Sequence, residues 1–167
     1  MHEREKRRVF ENWIARHEGL LFKVVRTFSD SPHDRDDLFQ QIALQLWKSI
    51  PSYSSRVAET TWIYRVAFYA ATAWSRKERN RQRVNLLGDD DRVLAQVDRS
   101  IDNRLDALLD QIAALPDVDR SLALMLLDGL SYRSMAQVLG ISESHVGVRI
   151  HRIKKQLIQG ISREDTC

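Results

Sequence analysis

Apolar side chains recur at helical spacing along almost the whole chain. Leu38, Ile42 and Leu46 fall four residues apart, and Ser31 with Pro32 stands where a helix of this kind would begin. Residues four apart share one helix face, and serine followed by proline is typical of a helix start. The same spacing marks three further segments, residues 10–28, 62–74 and 105–157. The sequence therefore predicts an all-α fold, with one continuous first helix over residues 10–28.

The periodicity weakens between about residues 81 and 103. Gly88 and the acidic run Asp89 to Asp91 lie in this stretch, which has the composition of a loop or linker. A chain of 167 residues fits one ordinary domain or two small ones. We therefore predict two small helical domains, residues 1–82 and 104–167, joined by a flexible acidic linker over residues 83–103.

Several classes of protein find no support in the sequence. The single cysteine, Cys167, leaves no internal disulfide and no CxxC pair. Residues 1–8 are charged and lead into no apolar run, and no stretch has the roughly 18 consecutive apolar residues of a membrane span. There is also no glycine-rich phosphate loop, no HExxH and no nucleophile elbow. We expect a cytoplasmic protein that is not an enzyme, without catalytic residues, metal, cofactor or membrane insertion.

Residues 130–157 carry the most specific pattern. Ser131 and Ser142 stand where two successive helices would be capped, and Gly140 falls between those helices. Ala136, Gly140 and Val146 have the spacing of a helix-turn-helix, in which a small residue permits close crossing, glycine makes the turn and a branched residue fixes the angle. The sequence thus predicts a helix-turn-helix in the C-terminal domain.

The second helix of this motif has a one-signed polar face. No acidic side chain follows Glu143 until residue 164, although the formal net charge of the chain is only +3. A solvated helix normally mixes signs, so the face favours contact with phosphates, and a merely solvated basic face is the alternative. The polar side chains of this face are His145, Arg149, Arg152, Lys154, Lys155 and Gln156.

The N-terminal domain has two further polar surfaces. The helix over 62–74 combines aromatic rings with a basic continuation, the combination that holds single-stranded nucleic acid, although Trp62 or Trp74 could instead serve the core. The preceding helix has an acidic and amide-rich face that suits a protein partner or an ordinary solvated surface. The members of that face are Asp34, Asp36, Asp37, Gln40, Gln41 and Gln45.

Taken in order, these segments resemble extracytoplasmic-function (ECF) sigma factors. Residues 34–41, DRDDLFQQ, with Leu46 and Trp47, resemble the polymerase-binding helix of that family, and residues 61–67, TWIYRVA, its strand-opening segment. Its second promoter-binding domain is similar to residues 115–116, Arg120, and residues 129–132 and 139–144. The resemblance covers nearly the whole chain. It implies a region 2-like domain, the linker and a region 4-like domain.

The resemblance also implies roles for individual residues. The clamp of core RNA polymerase would bind the second helix, and the flap would be a further contact. The polymerase-binding residues would be Asp37, Leu38, Gln40, Gln41 and Trp47. The loop over 52–60 and the third helix would capture a flipped base of the minus-ten element, with Trp62, Arg65, Tyr69, Arg76 and Lys77 on the DNA.

The recognition helix would enter the major groove of the minus-thirty-five element, with Val148, His151 and Arg152 nearest the bases and Arg149 on phosphate. The full set implied there is Ser144, His145, Val148, Arg149, His151, Arg152 and Lys155. Promoter DNA and core polymerase are thus the implied partners, and an anti-sigma factor is common in the family.

The sequence departs from the family pattern at Gln41, Tyr69, Ala73 and the pair Gly147–Val148, which leaves the promoter sequence open. Gly147 is costly in mid-helix, so either a close approach to DNA or a tolerated imperfection explains it. A stand-alone helix-turn-helix regulator is the alternative function. A helical adaptor would explain the second helix but not the basic face.

Overall fold

The computed structural model describes residues 1–85 and 103–164, and every regular element in those ranges is helical. This confirms the predicted all-α fold. In chain order the helices are α1 (Glu3–Arg16), α2 (Glu18–Phe28), α3 (Pro32–Ser49), a 3₁₀ turn (Ile50–Ser52), α4 (Glu59–Asn85), α5 (Asn103–Ala113), α6 (Asp117–Leu127), α7 (Tyr132–Leu139) and α8 (Glu143–Glu164).

The prediction of one helix over residues 10–28 is wrong, because the chain breaks at His17. This residue has φ −116° and ψ 23°, and α2 starts directly after it. Its ring nitrogen Nε2 lies 2.8 Å from a carboxylate oxygen of Glu59, the first residue of α4. Both helices keep their apolar faces on the same core, so the apolar spacing continues through a break that a distant side chain stabilises.

The start of α3 follows the prediction. The Ser31 side-chain oxygen accepts a hydrogen bond from the backbone N–H of Asp34 at 3.1 Å, and Pro32 is the first helical residue. At the other end, Pro51 lies in the 3₁₀ turn, since it cannot supply the N–H that would continue the α-helix. Leu38, Ile42 and Leu46 are fully buried, as their spacing requires.

Each half of the chain contributes its own set of core side chains. Trp13, Leu38 and Ile63 are buried in the N-terminal half, and Leu122 and Ile150 in the C-terminal half. The halves also touch, because α2 contacts α5 and α6, and α4 contacts α7. No helix in the described ranges is long and apolar enough to cross a bilayer.

The predicted linker, residues 83–103, lies largely outside the described residues, including its acidic run. The predicted end of the first domain at residue 82 falls inside α4, which continues to Asn85. The apolar stripe stops at Trp74, but the exposed polar turns after it are still helical. Arginine and lysine are good helix formers, so the helix continues through these turns without an apolar stripe.

Candidate nucleic-acid interfaces

An open cleft of about 990 Å³ lies between α3 and α4. Its α3 wall includes Asp37, Gln40 and Gln41, which were predicted to meet a protein partner. Its α4 wall presents residues predicted to meet DNA: Trp62, Arg65, Tyr69 and Lys77. The two predicted surfaces are therefore opposite walls of one cleft, and a protein bound to α3 would lie directly beside a strand bound to α4.

The α4 wall combines fixed and free aromatic side chains. Trp62 is half-buried, and its indole N–H donates to the Ser49 hydroxyl at 3.1 Å. Tyr69 is 83% exposed, and Arg65 is exposed one turn before it. An exposed phenol ring beside a guanidinium can stack on a base while the cation contacts the backbone, so this wall suits single-stranded nucleic acid.

Aromatic rings pack against the protein-facing side of the loop between the 3₁₀ turn and α4. Tyr53 contacts Trp13 edge-on at 5.3 Å and Trp62 at 5.7 Å, measured between ring centroids. Its hydroxyl donates to the Val57 carbonyl at 3.1 Å, across the loop. Ser54 and its two successors are exposed at the tip. The loop is thus anchored on one side and open to a ligand on the other.

The C-terminal turns of α4 form a basic extension of the cleft. Arg76, Lys77 and Arg83 are exposed, while Glu78 lies 3.9 Å from Arg81. Arg76 is not among the residues that line the cleft, and lies beside it. Exposed cations in this arrangement can follow a phosphate backbone beyond the aromatic part of the wall.

The predicted helix-turn-helix is present at α7 and α8. The Ser131 and Ser142 hydroxyls accept from the backbone N–H groups of Ser134 and His145, both at 3.1 Å. Gly140 has φ 67°, the left-handed conformation that favours glycine, and its N–H donates to the Ala136 carbonyl at 2.8 Å. Each cap lies within four residues of the group that it satisfies, which explains why the motif can be recognised in the sequence.

The face of α8 turned away from the core is open to solvent. Val146, Ile150 and Ile153 are buried, and Val148 is 52% exposed on the other side. The remaining exposed side chains predicted to meet DNA are Ser144, His145, His151, Arg152 and Lys155. This face can therefore enter a groove without any rearrangement within the motif.

Comparison with known proteins identifies the family of the chain. Residues 13–81 match the Sigma-70 region 2 family, and residues 105–157 match the Sigma-70 region 4 family. The ECF RNA polymerase sigma factor SigF of Caulobacter vibrioides is 31% identical over 143 residues, which cover 84% of this chain and 78% of that protein. The chain belongs to the ECF sigma factor family.

Other similar proteins agree with this assignment. SigE, an ECF sigma factor of Mycolicibacterium smegmatis, is 27% identical over 89% of this chain, which spans 60% of the SigE length. Two solved structures share the fold. The first is CnrH in complex with the cytosolic domain of CnrY, with a TM-score of 0.67 and 20% sequence identity, and the match covers 94% of this chain and 90% of that one. The second is the sigma factor RpoE of Bartonella quintana in complex with the anti-sigma factor NepR, with a TM-score of 0.73 and 15% sequence identity. That match covers 92% of this chain and 96% of that one.

Two residues of the sigma factor that were predicted to bind polymerase lie away from the cleft. Leu38 is fully buried, so in this conformation it holds α3 from inside. Trp47 packs edge-on against Phe10 at 5.5 Å, and the Lys6 ammonium lies 4.4 Å from its ring. Both side chains pack α3 against the rest of the N-terminal half. Asp37, Gln40 and Gln41 are the exposed members of the predicted set.

Arg149 has partners that the sequence did not reveal. Its guanidinium lies 2.7 Å from an Asp119 carboxylate oxygen on α6, and its Nε donates to the His145 ring nitrogen at 3.2 Å. Asp119 is thirty positions away, and no motif connects the two residues. The ion pair with Asp119 therefore orients the Arg149 side chain at the edge of the exposed face of α8.

Gly147 faces the protein and not open solvent. A Cβ atom built on it would lie 3.6 Å from the ring of Tyr132, the first residue of α7. This is an ordinary contact distance, so the fold accommodates an alanine at this position. Tyr132 is 42% exposed beside α8, and it was not among the residues predicted to bind DNA.

Proposed function

We propose that this ECF sigma factor binds core RNA polymerase, directs it to specific promoters and promotes melting of the minus-ten element. The observation that carries the proposal is the α3–α4 cleft, which joins the acidic and amide wall to the aromatic and basic wall. A strand held on α4 would then be captured at the polymerase surface itself. The domain boundaries at residues 82 and 104 remain part of this proposal.

On the downstream element, the proposed roles follow from exposure. Tyr69 stacks on an unpaired base, and Arg65 and Lys77 neutralise the strand backbone. A stacked base contributes about 1–3 kcal/mol, which shifts the equilibrium between duplex and open strand toward the open strand by roughly 5- to 150-fold. Trp62, whose indole N–H is already satisfied by Ser49, forms the fixed floor of the site.

On the upstream element, α8 enters the major groove. Arg152 and His151 contact base edges, Val148 offers an apolar contact to a thymine methyl group, and Lys155 contacts phosphate. Arg149 reaches a phosphate from its position against Asp119. Each good base contact contributes about 1–3 kcal/mol of discrimination, so the upstream element chooses the promoter while the downstream element opens it.

We include an anti-sigma factor among the proposed partners. The support is that RpoE, which shares this fold, was captured with the anti-sigma factor NepR. We further propose that the protein acts in the cytoplasm and performs no catalysis of its own, since polymerase supplies the chemistry of transcription.

The test is run-off transcription from fragmented genomic DNA, with bacterial core polymerase in the presence and absence of the protein. We expect discrete new transcripts that share an upstream motif. Failure to produce any transcript, together with binding of the protein alone to a palindromic site, would instead establish a stand-alone regulator.

Residue-specific variants assign the two surfaces. Arg152→Ala should lower transcription about tenfold through the upstream element, and Tyr69→Ala should lower strand opening by a similar factor while leaving duplex binding intact. Asp37→Ala combined with Gln40→Ala should weaken polymerase association. Arg4→Ala, an exposed cation on α1 outside both surfaces, is the matched control and should behave as wild type.

A further inference from the structure

The C-terminal turn of α1 contacts both ends of the loop that joins the 3₁₀ turn to α4. Trp13, in this turn, contacts the ring of Tyr53, the first residue of the loop, at 5.3 Å between ring centroids. Arg16 and His17 both lie close to the side chain of Glu59, the residue that follows the loop. One turn of α1 therefore holds the loop at its beginning and at its end.

Glu59 is held by two side chains from the end of α1. The His17 ring nitrogen Nε2 lies 2.8 Å from one carboxylate oxygen of Glu59, and Nη1 of Arg16 lies 3.3 Å from the same oxygen. An ionised carboxylate accepts hydrogen bonds and cannot donate them, so the imidazole N–H of His17 is the donor. We call Arg16, His17 and Glu59 the loop anchor.

The two contacts of the loop anchor differ in how far water reaches them. The His17 side chain is 12% exposed and that of Glu59 is 24% exposed, whereas the Arg16 side chain is 61% exposed. Exposed ion pairs contribute little and shielded hydrogen bonds contribute more, so the bond between His17 and Glu59 is the stronger contact. Because the ring of His17 is nearly covered, its influence on a bound strand must pass through Glu59.

The break between α1 and α2 gives His17 its position. Its backbone N–H donates to the Trp13 carbonyl at 3.1 Å, in α1, and its carbonyl accepts from the N–H of Leu21 at 3.0 Å, in α2. The residue thus takes part in the hydrogen bonds of both helices, while its side chain contacts the first residue of α4. A displacement of Glu59 is therefore resisted by two helices at once.

Glu59 stands where the loop passes into the wall that we propose to bind a single strand. It is the first residue of α4 and lies three positions before Trp62. The backbone N–H of Trp62 donates to the carbonyl of Ala58, the last loop residue, at 3.0 Å, and its indole N–H donates to Ser49. Fixing Glu59 therefore fixes the end of the loop and the first turn of the helix that carries Tyr69.

We propose that His17, assisted by Arg16, positions Glu59 so that the loop and the first turn of α4 are in place before an unpaired base of the minus-ten element arrives. This inference rests on the proposed function, which assigns base capture to the loop and α4. None of the three anchor residues was predicted to bind DNA, and they act through the loop. Preorganisation matters because a site that is ordered only on binding loses that ordering cost from its affinity.

Amide hydrogen exchange of the full-length protein, resolved by residue, tests the positioning without DNA. The reporter is the backbone N–H of Val57, which donates to the Ser54 carbonyl at 3.1 Å within the loop. His17→Ala should raise the exchange rate of this amide by about tenfold, since a hydrogen bond to a charged group is lost. His17→Gln, whose side-chain N–H can take the place of the imidazole Nε2–H, should restore most of the protection.

Further variants keep the test decisive if His17→Ala folds poorly. Glu59→Ala removes the same hydrogen bond from its other side, so it should raise the exchange rate equally, and combining it with His17→Ala should add nothing. Arg16→Ala removes an exposed pair and should raise the rate only about twofold. His2→Ala, at an exposed histidine whose side chain does not cap α1, is the matched control and should leave the rate unchanged.

Strand opening is then measured with core polymerase on a promoter found by run-off transcription. The readout is the rate at which thymines of the minus-ten element become reactive to permanganate, which attacks unpaired thymine. His17→Ala and Glu59→Ala should each lower this rate by about tenfold, because the loop must now be ordered during capture. His17→Gln should open the promoter nearly as fast as wild type. All three variants should bind a duplex of the upstream element alone with unchanged affinity.

Three results would overturn the loop anchor. They are unchanged exchange at Val57 in folded His17→Ala or Glu59→Ala, faster exchange combined with wild-type strand opening, and a His17→Gln variant as defective as His17→Ala. The third result would mean that the packing of the ring, and not its hydrogen bond, is responsible. If wild type itself opens no promoter, the proposed function is contradicted, and exchange at Val57 still decides whether His17 and Glu59 hold the loop.

Discussion

The two surfaces that we propose to bind DNA depend on different parts of the chain. The C-terminal surface is a single helix, α8, placed by caps at Ser131, Gly140 and Ser142, all close in sequence. The N-terminal surface needs two helices and a loop, and the loop is anchored by Trp13 and Trp62 on either side of Tyr53. The upstream surface is therefore fixed locally, and the downstream surface by long-range packing.

This difference predicts where each surface is vulnerable. A change in one cap should disturb α8 and leave the cleft unaffected, because the caps contact only their own turns. A change in the aromatic cluster should disturb the cleft, the loop and the core of the N-terminal half together. The proposed strand-opening surface should consequently be the more sensitive of the two to a single substitution.

The largest expected effect is at Tyr53. Tyr53→Ala removes two ring contacts and the hydrogen bond across the loop, and should lower the free energy of unfolding by about 3 kcal/mol. Tyr53→Phe keeps the rings and should cost only about 1 kcal/mol. Tyr132→Ala, a half-exposed tyrosine on the C-terminal surface, is the matched control. Urea denaturation followed by tryptophan fluorescence measures all three, and equal losses at Tyr53 and Tyr132 would contradict the contrast between the surfaces.

A smaller effect is expected at the turn of the helix-turn-helix. Gly140→Ala places a Cβ in the left-handed region at φ 67° and should cost about 1–2 kcal/mol, although nothing lies within 4 Å of the added atom. Gly19→Ala has equally open space and no positive φ, so it should be neutral or slightly stabilising. Thermal unfolding of both variants checks this. A similar cost at both positions would mean that the backbone conformation of Gly140 is not the cause.

Sequence reasoning succeeded where the determinants are local. The N-cap at Ser31, the turn at Gly140 and the apolar stripe of α3 each depend on residues within one or two helical turns, so spacing alone predicts them. The same reasoning joined α1 to α2, because the break at His17 depends on Glu59, far along the chain. The apolar spacing of a helix shows which face is buried. It does not show where a contact with a distant residue interrupts the helix.

The candidate sites follow the same rule. The exposed face of α8 could be read from the sequence, since the buried positions of the helix fix its orientation. The pairing of Arg149 with Asp119 and the support of the loop by Tyr53 could not, because they depend on how separate helices pack. Leu38 and Trp47 were assigned to the polymerase surface by resemblance, and only the packing reveals that one is buried and the other covers α1.

Alkaline pH should distinguish the two faces of α4. The cleft face carries exposed Tyr69, and the opposite face carries Tyr64, whose pKa is raised by burial and by Asp128. A raised pKa means that the proton binds more tightly in the folded protein than in the unfolded chain, so this contribution to stability is complete below pH 10 and is lost as pH rises above it. The loss should approach about 1.4 kcal/mol per pH unit once the pH is above the ordinary pKa of tyrosine.

The free energy of unfolding, measured by urea denaturation as pH is raised, tests this expectation. Tyr64→Phe is the control, because it retains every other titrating group and should show a shallower loss of stability. If Tyr64→Phe loses stability as steeply as wild type above pH 10, the phenol of Tyr64 does not contribute to the pH dependence.

The pair formed by Arg149 and Asp119 should have a modest coupling. Arg149 is about one-third exposed, so the pair should contribute about 1 kcal/mol in a double-mutant cycle of Arg149→Ala and Asp119→Ala. Its larger role is orientation: Asp119→Ala should weaken upstream-element binding although Asp119 carries a charge that repels DNA. Tighter DNA binding by Asp119→Ala would show that simple repulsion dominates and that Arg149 needs no support.

The smallest expected effect decides between two explanations of Gly147. A close approach to DNA would require glycine, but the Cβ direction of Gly147 points to Tyr132 on α7, at an ordinary contact distance of 3.6 Å. Gly147→Ala should therefore raise the free energy of unfolding by up to about 1 kcal/mol, through helix propensity alone, and leave affinity for the upstream element unchanged. If the variant is stable but binds DNA several-fold more weakly, the DNA must approach the backbone at Gly147 closely enough for the added methyl group to interfere.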